Sequence, residues 1–437
     1  MYIILGLFLM LSASTAEASR LSVGDTSGCY VYKQTTRLGS LAGKMLCWGS
    51  NDKGQLGTGG FSPSSVPVAA GLATIPATPT LVWTWVSVGA EHACGLKDPS
   101  GIGNQDLYCW GRNLEGQLGI GNFTNQATPT RVMSNVVWVT AAGNYTCAEI
   151  VTSTVNPITY QLRCWGENTN GQLGIGTFSG LKNLPTPVVN PNGVGNLTTT
   201  VQGGFYSWTA GPQHACVVMD LATGVTYCWG DNDHGQLGIG GFVSQPRPTR
   251  VLQNFISISA GGSHTCGLGF SDDLLRCWGY NFYGQVGNGN RVDQTSPALV
   301  LGLPSGTSLA RVGDKLGQNH SCVSKQDPVS PKFPPHLWCW GYNNNRQLGD
   351  LTMIDKTSAT LASGMPPLPA TQNRGYVAVS GGGHTQCSEL SDALTSTSPV
   401  NWETSVWCEG NGSSGQVGNG TFLPQNNPAK IISVIFQ

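Results

Sequence analysis

The sequence predicts an all-β fold, a closed ring of stacked blades, and three observations lead there. One thirteen-residue phrase returns along the 437 residues. Short alternating strand patterns, separated by turn residues, surround each copy. Fourteen cysteines fall into couples that keep step with the phrase.

The phrase reads CWGSNDKGQLGTG from Cys47 and returns as CWGRNLEGQLGIG from Cys109, CWGENTNGQLGIG from Cys164 and CWGDNDHGQLGIG from Cys228. Looser copies begin at Cys277, Cys339 and Cys408. Successive copies start about 50 to 70 residues apart, the size of a propeller blade with loop insertions. Within one repeat, NFISISAG (Asn254 to Gly261) alternates with period two, and HTCGLGF and LLRCWGY follow across the turn residues Ser271, Asp272 and Asp273. Four short strands cannot bury their faces alone, so neighbouring repeats stack, and closing the ring removes the exposed end faces. Most phrases lead through a proline segment, such as TPTRV at 128–132, into the next strand. The segment NPAKIISVIFQ ends on that element, and LSVGDTSGC near the start supplies its continuation. The ring is therefore expected to close by joining the N- and C-terminal strands in one blade.

Gly (60) and Pro (25) suit a chain full of tight turns. Charged residues make up only 10% and the net charge is −1 with no Lys/Arg run, which removes the electrostatic footprint of a nucleic-acid binder. The apolar run YIILGLFLML (Tyr2 to Leu11), followed by Ala16-Glu17-Ala18, reads as a secretory signal peptide over residues 1–18. Residues 19–437 then form a single propeller domain. No later segment is apolar for long enough to span a bilayer, so no transmembrane segment is expected in the mature chain.

The cysteine couples are Cys29/Cys47, Cys94/Cys109, Cys147/Cys164, Cys216/Cys228, Cys266/Cys277, Cys322/Cys339 and Cys387/Cys408. Their separations run from 11 to 21 residues, each the size of one β-hairpin. Opposed residues of antiparallel strands come within bridging range. An even count beside an export signal favours seven structural disulfides. Reduced, buried cysteines are the alternative. Zinc fits poorly, because no C-x₂-C pair exists.

The pattern G-x-x-H … C-W-G-x-N-x-x-G-Q-L-G-x-G resembles the regulator-of-chromosome-condensation repeat over essentially all of residues 21–437. The resemblance implies a seven-bladed β-propeller of four-stranded antiparallel blades. The family includes a nuclear guanine-nucleotide exchange factor, ubiquitin-ligase domains and a secreted bacterial inhibitor of β-lactamases. With its export signal and paired cysteines, this chain is similar in architecture to the β-lactamase-inhibitor propellers, and the nuclear role does not suit it.

The repeated residues read as structural. Gly54, Gly57 and Gly59 permit a turn with positive φ or close strand approach. Gln55, Gln117, Gln172, Gln236, Gln285, Gln347 and Gln416 carry amides that satisfy backbone groups a turn leaves unpaired. Trp48, Trp110, Trp165, Trp229, Trp278 and Trp340 fill the inter-blade core with an indole N–H that needs a partner. Glu409 stands in the last copy, which makes that blade the least regular. His92, His214, His264, His320 and His384 share the G-x-x-H slot, with Ser27 and Tyr145 in the other two copies. Each belongs to a different blade, so a hydrogen-bonding role suits them better than metal or proton transfer. No catalytic set, metal ligand set or cofactor motif stands out.

Individual function belongs where the repeat breaks. Insertions run over 61–80 and 181–204. Phe61, Phe123, Phe178, Phe242 and Phe422 recur just after the phrase; exposed, they would crowd one face as a partner-binding surface, and burial under the next strand is the alternative. Sequons stand at Asn122, Asn144, Asn196, Asn319, Asn411 and Asn419 and are relevant in a eukaryotic host. The leading expectation is a secreted, non-enzymatic, monomeric propeller. It binds a protein or cell-surface macromolecule through one face and needs no cofactor; an inhibitor, adhesin or coat component would all fit. Two other readings are an intracellular exchange factor or chromatin regulator, and a secreted enzyme whose acidic or histidine side chains converge at the propeller mouth.

Overall fold

The computed structural model describes residues 21–32, 43–71, 82–98, 105–201, 204–305, 309–312, 315–325, 336–364, 374–392 and 402–436. The expected signal peptide and its cleavage site, residues 72–80 of the first insertion and residues 202–203 of the second lie outside them. The described residues form strands and no helix, and no helix among them is long and apolar enough to cross a membrane.

Blade 5 shows the plan. Its strands, Phe255–Ala260, His264–Gly269, Leu275–Gly279 and Gln294–Leu299, pair in sequence order, each antiparallel to the next. The second strand is buried along its whole length, because neighbouring blades cover both faces, whereas the fourth is partly exposed. Blades 1 (Leu21–Val23 to Ser64–Ala69), 4 (Ser207–Ala210 to Gln245–Arg250), 6 (Leu309–Val312 to Lys356–Leu361) and 7 (Arg374–Gly381 to Gln425–Phe436) repeat it. Blades 2 and 3 share the long strand Gln126–Ala142, which pairs with Gln105–Gly111 at its start and Tyr145–Ser153 at its end, making one eight-stranded sheet.

In every blade the two cysteines of a couple face each other across the second and third strands, and all seven couples are bridged, with Cα–Cα distances of 4.0 to 4.2 Å. Immediately after the second cysteine the register slips between Cys and Gly, for example between Cys277 and Gly279. That glycine takes φ near 100° in every copy, from Gly49 (φ 108) to Gly410 (φ 104). A bulge of this kind re-aims the residue it contains, here the tryptophan, which leaves its own sheet and crosses to the preceding blade.

Seven apolar clusters mark the seams between neighbouring blades. One joins Cys29, Cys47 and Leu56 of blade 1 to Val86, Val88 and Trp110 of blade 2, and the last joins Cys387, Val406 and Val417 of blade 7 to Leu21, Tyr30 and Trp48 of blade 1. The inner strands are stitched in parallel with this. Ser22, Ser87, Thr209 and Ser380 each accept a backbone N–H from the next blade, from Val88, Ala141, Ala260 and Val23 respectively. Blade 7 thus meets blade 1 as any other neighbours meet.

The expectation that both terminal strands share one blade is not met. Leu21–Val23 pairs with Ser27–Val31, and Gln425–Phe436 pairs with Trp402–Gly410. The proline segment after each phrase is the outer strand of its own blade, so each blade is continuous in sequence and the ends meet at a seam.

Candidate functional site

Each copy of the phrase forms a loop between the third and fourth strands, and its inner half is a lock. The glutamine side chain folds back so that its Oε1 accepts the N–H two residues earlier, in all seven blades, at 2.7 to 3.1 Å. Its backbone carbonyl accepts the indole N–H of the next blade's tryptophan. Gln55 receives Trp110, Gln117 Trp165, Gln172 Trp229, Gln236 Trp278, Gln285 Trp340 and Gln416 Trp48, all at 2.8 to 3.0 Å. The six indoles are fully buried. The glycine two residues after each glutamine has positive φ, and in six of the seven blades a Cβ there would collide with the indole, as at Gly119 against Trp165.

Four of the five histidines belong to the same lock; His384, expected in the same slot, stands one residue before it, because Thr385 is the residue opposite Gly410 in blade 7. Nε2 of His92, His214 and His264 lies 2.8 to 2.9 Å from the hydroxyl of Thr146, Thr265 and Ser321 in the next blade. Those hydroxyls spend their one proton on the carbonyls of Gln117, Gln236 and Gln285. Nε2 must therefore carry the imidazole proton, which leaves Nδ1 bare and unpaired. His320 makes the equivalent bond to Gln386. Burial lowers the histidine pKa to about 3 for His92 and His264 and about 4 for His214 and His320, so all four are neutral. Tyr145 fills the slot in blade 3 and donates to the carbonyls of Gly211 and His214. No group of three or more metal-ligating side chains occurs among the described residues.

The outer half of the loop is a display. The asparagine of C-W-G-x-N is buried, and its Oδ1 accepts the N–H of the residue after the glutamine, as Asn113 does from Leu118 at 2.9 Å. Its Nδ2 donates to the two carbonyls flanking the recurring phenylalanine. Asn51 holds Gly60 and Ser62, Asn113 holds Asn122 and Thr124, Asn168 holds Thr177 and Ser179, and Asn232 holds Gly241 and Val243. With its backbone neighbours clamped inward, the ring between them points to water. Phe61, Phe123, Phe178, Phe242 and Phe422 are all exposed, by 45 to 58%. Blade 6 places Met353 and Ile354 at this level and blade 5 places Val292, all exposed. Blade 7 keeps its phenylalanine although Gly412 stands where the asparagine would be.

These crown residues and the turns that carry the histidines lie on one face. The backbone links the two loop sets blade by blade: Ser50 donates to the carbonyl of Thr26, Arg112 to Glu91, Glu167 to Asn144 and Tyr280 to Ser263. At its centre the turns converge on Asp25, Gly143, Pro212, Gly262 and Gln318 around the propeller mouth. Lys315 of blade 6 fills this mouth, its Nζ donating to the carbonyl of Val88 in blade 2 at 2.8 Å. Burial lowers the Lys315 pKa and raises that of Asp25, and their mutual attraction opposes both shifts. The space left holds on the order of one water molecule.

Between mouth and crown the repeat's variable positions differ by sector. Blade 2 carries an ion-pair cluster, Arg112 with Glu91 (2.8 Å) and Glu115 (2.6 Å). Blades 4 to 7 carry aromatic rings in series: His234 against Tyr280, Tyr280 near Tyr283, Tyr283 against Tyr342, and Tyr342 against His384. Sequence reasoning assigned no role to the asparagine clamp, to Lys315 or to this ring series. A fixed asparagine in six of the seven phrases was the available signal for the first.

The regulator of chromosome condensation (RCC1) repeat model matches residues 42–96, 104–148, 223–268 and 273–324. A second RCC1-repeat model matches 255–285. The chain therefore carries RCC1 repeats over these residues. Among solved structures, yeast RCC1 (Prp20) bound to Kap60 superposes with a TM-score of 0.65 at 17% identity, covering 97% of this chain and 86% of that one. Human WBSCR16 superposes with a TM-score of 0.64 at 18% identity, covering 87% and 88%. These likenesses show the propeller fold. Among curated proteins, the human probable E3 ubiquitin-protein ligase HERC6 is 30% identical over 237 residues, 52% of this chain and 20% of that protein. The ultraviolet-B receptor UVR8 of Arabidopsis thaliana is 27% identical over 236 residues, 52% of this chain and 47% of that protein. The RCC1-repeat chain thus spans less than half the length of these relatives.

Proposed function

We propose that this RCC1-repeat propeller is a secreted, non-enzymatic scaffold that binds a macromolecular partner, a protein or cell-surface macromolecule, through the face bearing the crown. The observation that carries this is the exposure of all five phenylalanines on one face, each presented by a loop whose inner half is fully committed to the fold. Exposed apolar groups gathered on one face mark interaction sites. Seven disulfides suit an oxidising compartment, which supports export with cleavage after Ala18. A mouth filled by Lys315 leaves no room for a substrate, which weighs against an enzyme working there.

In a eukaryotic host Asn196, exposed in the segment that follows the outer strand of blade 3, is the sequon outside the phrase loops and the histidine turns. Asn122, Asn144, Asn319, Asn411 and Asn419 lie in the loops of the face itself. The test is capture by the oxidised mature chain from the extracellular fraction of its source, beside a variant with the five phenylalanines changed to serine. Partners held by the parent and lost by the variant are the expected result; identical captures contradict the reading.

A further inference from the structure

The seam between blades 6 and 7 departs from the other six at its centre. Where they place an indole, it places Glu409, fully buried and with no hydrogen-bond partner for either carboxyl oxygen. The carboxyl nevertheless occupies the position of an indole N–H. In the six regular seams the indole nitrogen lies 2.5 to 3.0 Å from the point where a Cβ would stand on the facing glycine: Gly57, Gly119, Gly174, Gly238, Gly287 or Gly418. Glu409 Oε1 and Oε2 lie 2.7 and 2.8 Å from the same point on Gly349. That glycine follows Gln347, whose backbone carbonyl is the counterpart of the six that accept an indole proton. An indole N–H donates at any ordinary pH, whereas a carboxyl group donates only while it holds its proton.

We propose that Glu409 makes the blade 6–blade 7 seam a pH-sensitive joint, closed while the buried carboxyl is neutral and loosened when it ionises. The groups around it offer an anion no compensation. Asp350, from the same blade 6 loop, adds a like charge and is itself paired with Lys356 at 3.2 Å. Arg346 of that loop and Glu389 of blade 7 have interactions of their own. His320 of blade 6 is neutral and spends Nε2 on Gln386, which lies directly across the strand from Glu409. His384 lies at the mouth of blade 7, against Tyr342. Burial, with Asp350 second, pushes the Glu409 pKa well above its ordinary 4.5.

The sign follows from linkage. A carboxyl whose folded pKa exceeds its unfolded value contributes its full stability below about 4.5. It loses that contribution progressively as pH rises towards the folded pKa. Crowding by the side chain is not at issue, because glutamate is smaller than the tryptophan of the other six seams.

The experiment uses the full oxidised chain and two variants, Glu409→Gln, a donor at every pH, and Glu409→Trp, which restores the repeat. Thermal midpoints are measured from about pH 5 to about pH 9, with amide hydrogen exchange resolved by blade. The parent midpoint should fall by several degrees across this range, with exchange rising first in 336–349 and 402–410. Both variants should lack that fall, or either one alone should lack it if the other fails to fold. Parallel pH profiles for the parent and a folded variant would overturn the proposal, as would exchange rising equally in all seven blades.

Discussion

The two halves of each phrase loop obey different rules, although only about five residues separate them. The inner half, Asn113, Gln117 and Gly119 in blade 2, is buried and joined by hydrogen bonds or close packing to its own loop and to Trp165 of blade 3. The outer half presents Phe123 to water. Repetition is strict in the first and loose in the second, where phenylalanine gives way to arginine in blade 5 and methionine in blade 6. A residue repeated for packing has little freedom to vary, because six of the seven seams place the same donor against the same carbonyl. A residue repeated on the surface is held by no such partner, and in the proposed function a partner outside the chain supplies the reason for it.

The comparison is broken most severely by removing an indole. Trp165→Ala should cost about 3–5 kcal/mol, from the vacated core of the blade 2–blade 3 seam and the Gln117 carbonyl left with one donor fewer. Chemical denaturation of the oxidised chain reads this directly. A loss below about 1 kcal/mol would mean that the seams do not depend on the lock.

Acid attacks the inner half through its histidines. Their folded pKa values of about 3 to 4 lie below the ordinary 6.5, so the unfolded chain binds more protons as pH falls below about 6.5. Stability should be full above that pH and decline by up to about 1.4 kcal/mol per pH unit for each histidine until the folded rings protonate. His264→Gln removes one of these four titrations and should make the acid slope shallower. An unchanged slope, followed by thermal midpoint from about pH 7 to about pH 4, would show that the ring between blades 5 and 6 is not held neutral.

A smaller effect sharpens the boundary between the halves. Asn113→Ala removes the acceptor for Leu118 N–H and the donor to the Asn122 and Thr124 carbonyls. It should cost about 1–3 kcal/mol and speed amide exchange in residues 113–125 more than in blade 3. Exchange confined to blade 3 instead would place the asparagine in the seam rather than in the loop.

Much of the inner half was legible in the sequence, because a buried lock repeated in each blade writes itself as a periodic pattern. The seven glutamines satisfying loop backbone, and the tryptophans crossing between blades, both follow from asking where polar groups in a turn find partners. The phase of the ring was not legible. A cyclic repeat can be cut at any point, and periodicity alone does not say which strand is innermost, so LSVGD was assigned to the last blade although it pairs within the first. The asparagine clamp was visible as a letter but not as a role, since its partners, such as the carbonyls of Gly60 and Ser62, lie on the far side of the loop. The aromatic series of blades 4 to 7 was hidden for a different reason: Tyr280, Tyr283 and Tyr342 occupy variable positions, and only the stacking of blades brings them together.

The division of each loop into a part for the fold and a part for a partner is tested most directly by one paired measurement on the variant carrying Phe61→Ser, Phe123→Ser, Phe178→Ser, Phe242→Ser and Phe422→Ser. Its stability and its capture of extracellular partners are measured beside the parent on the same oxidised material. Each exposed ring should contribute within about 0.5 kcal/mol to stability, so the account predicts a near-parental unfolding transition together with loss of capture. A collapse of the transition, or capture undiminished in a stable variant, would contradict it.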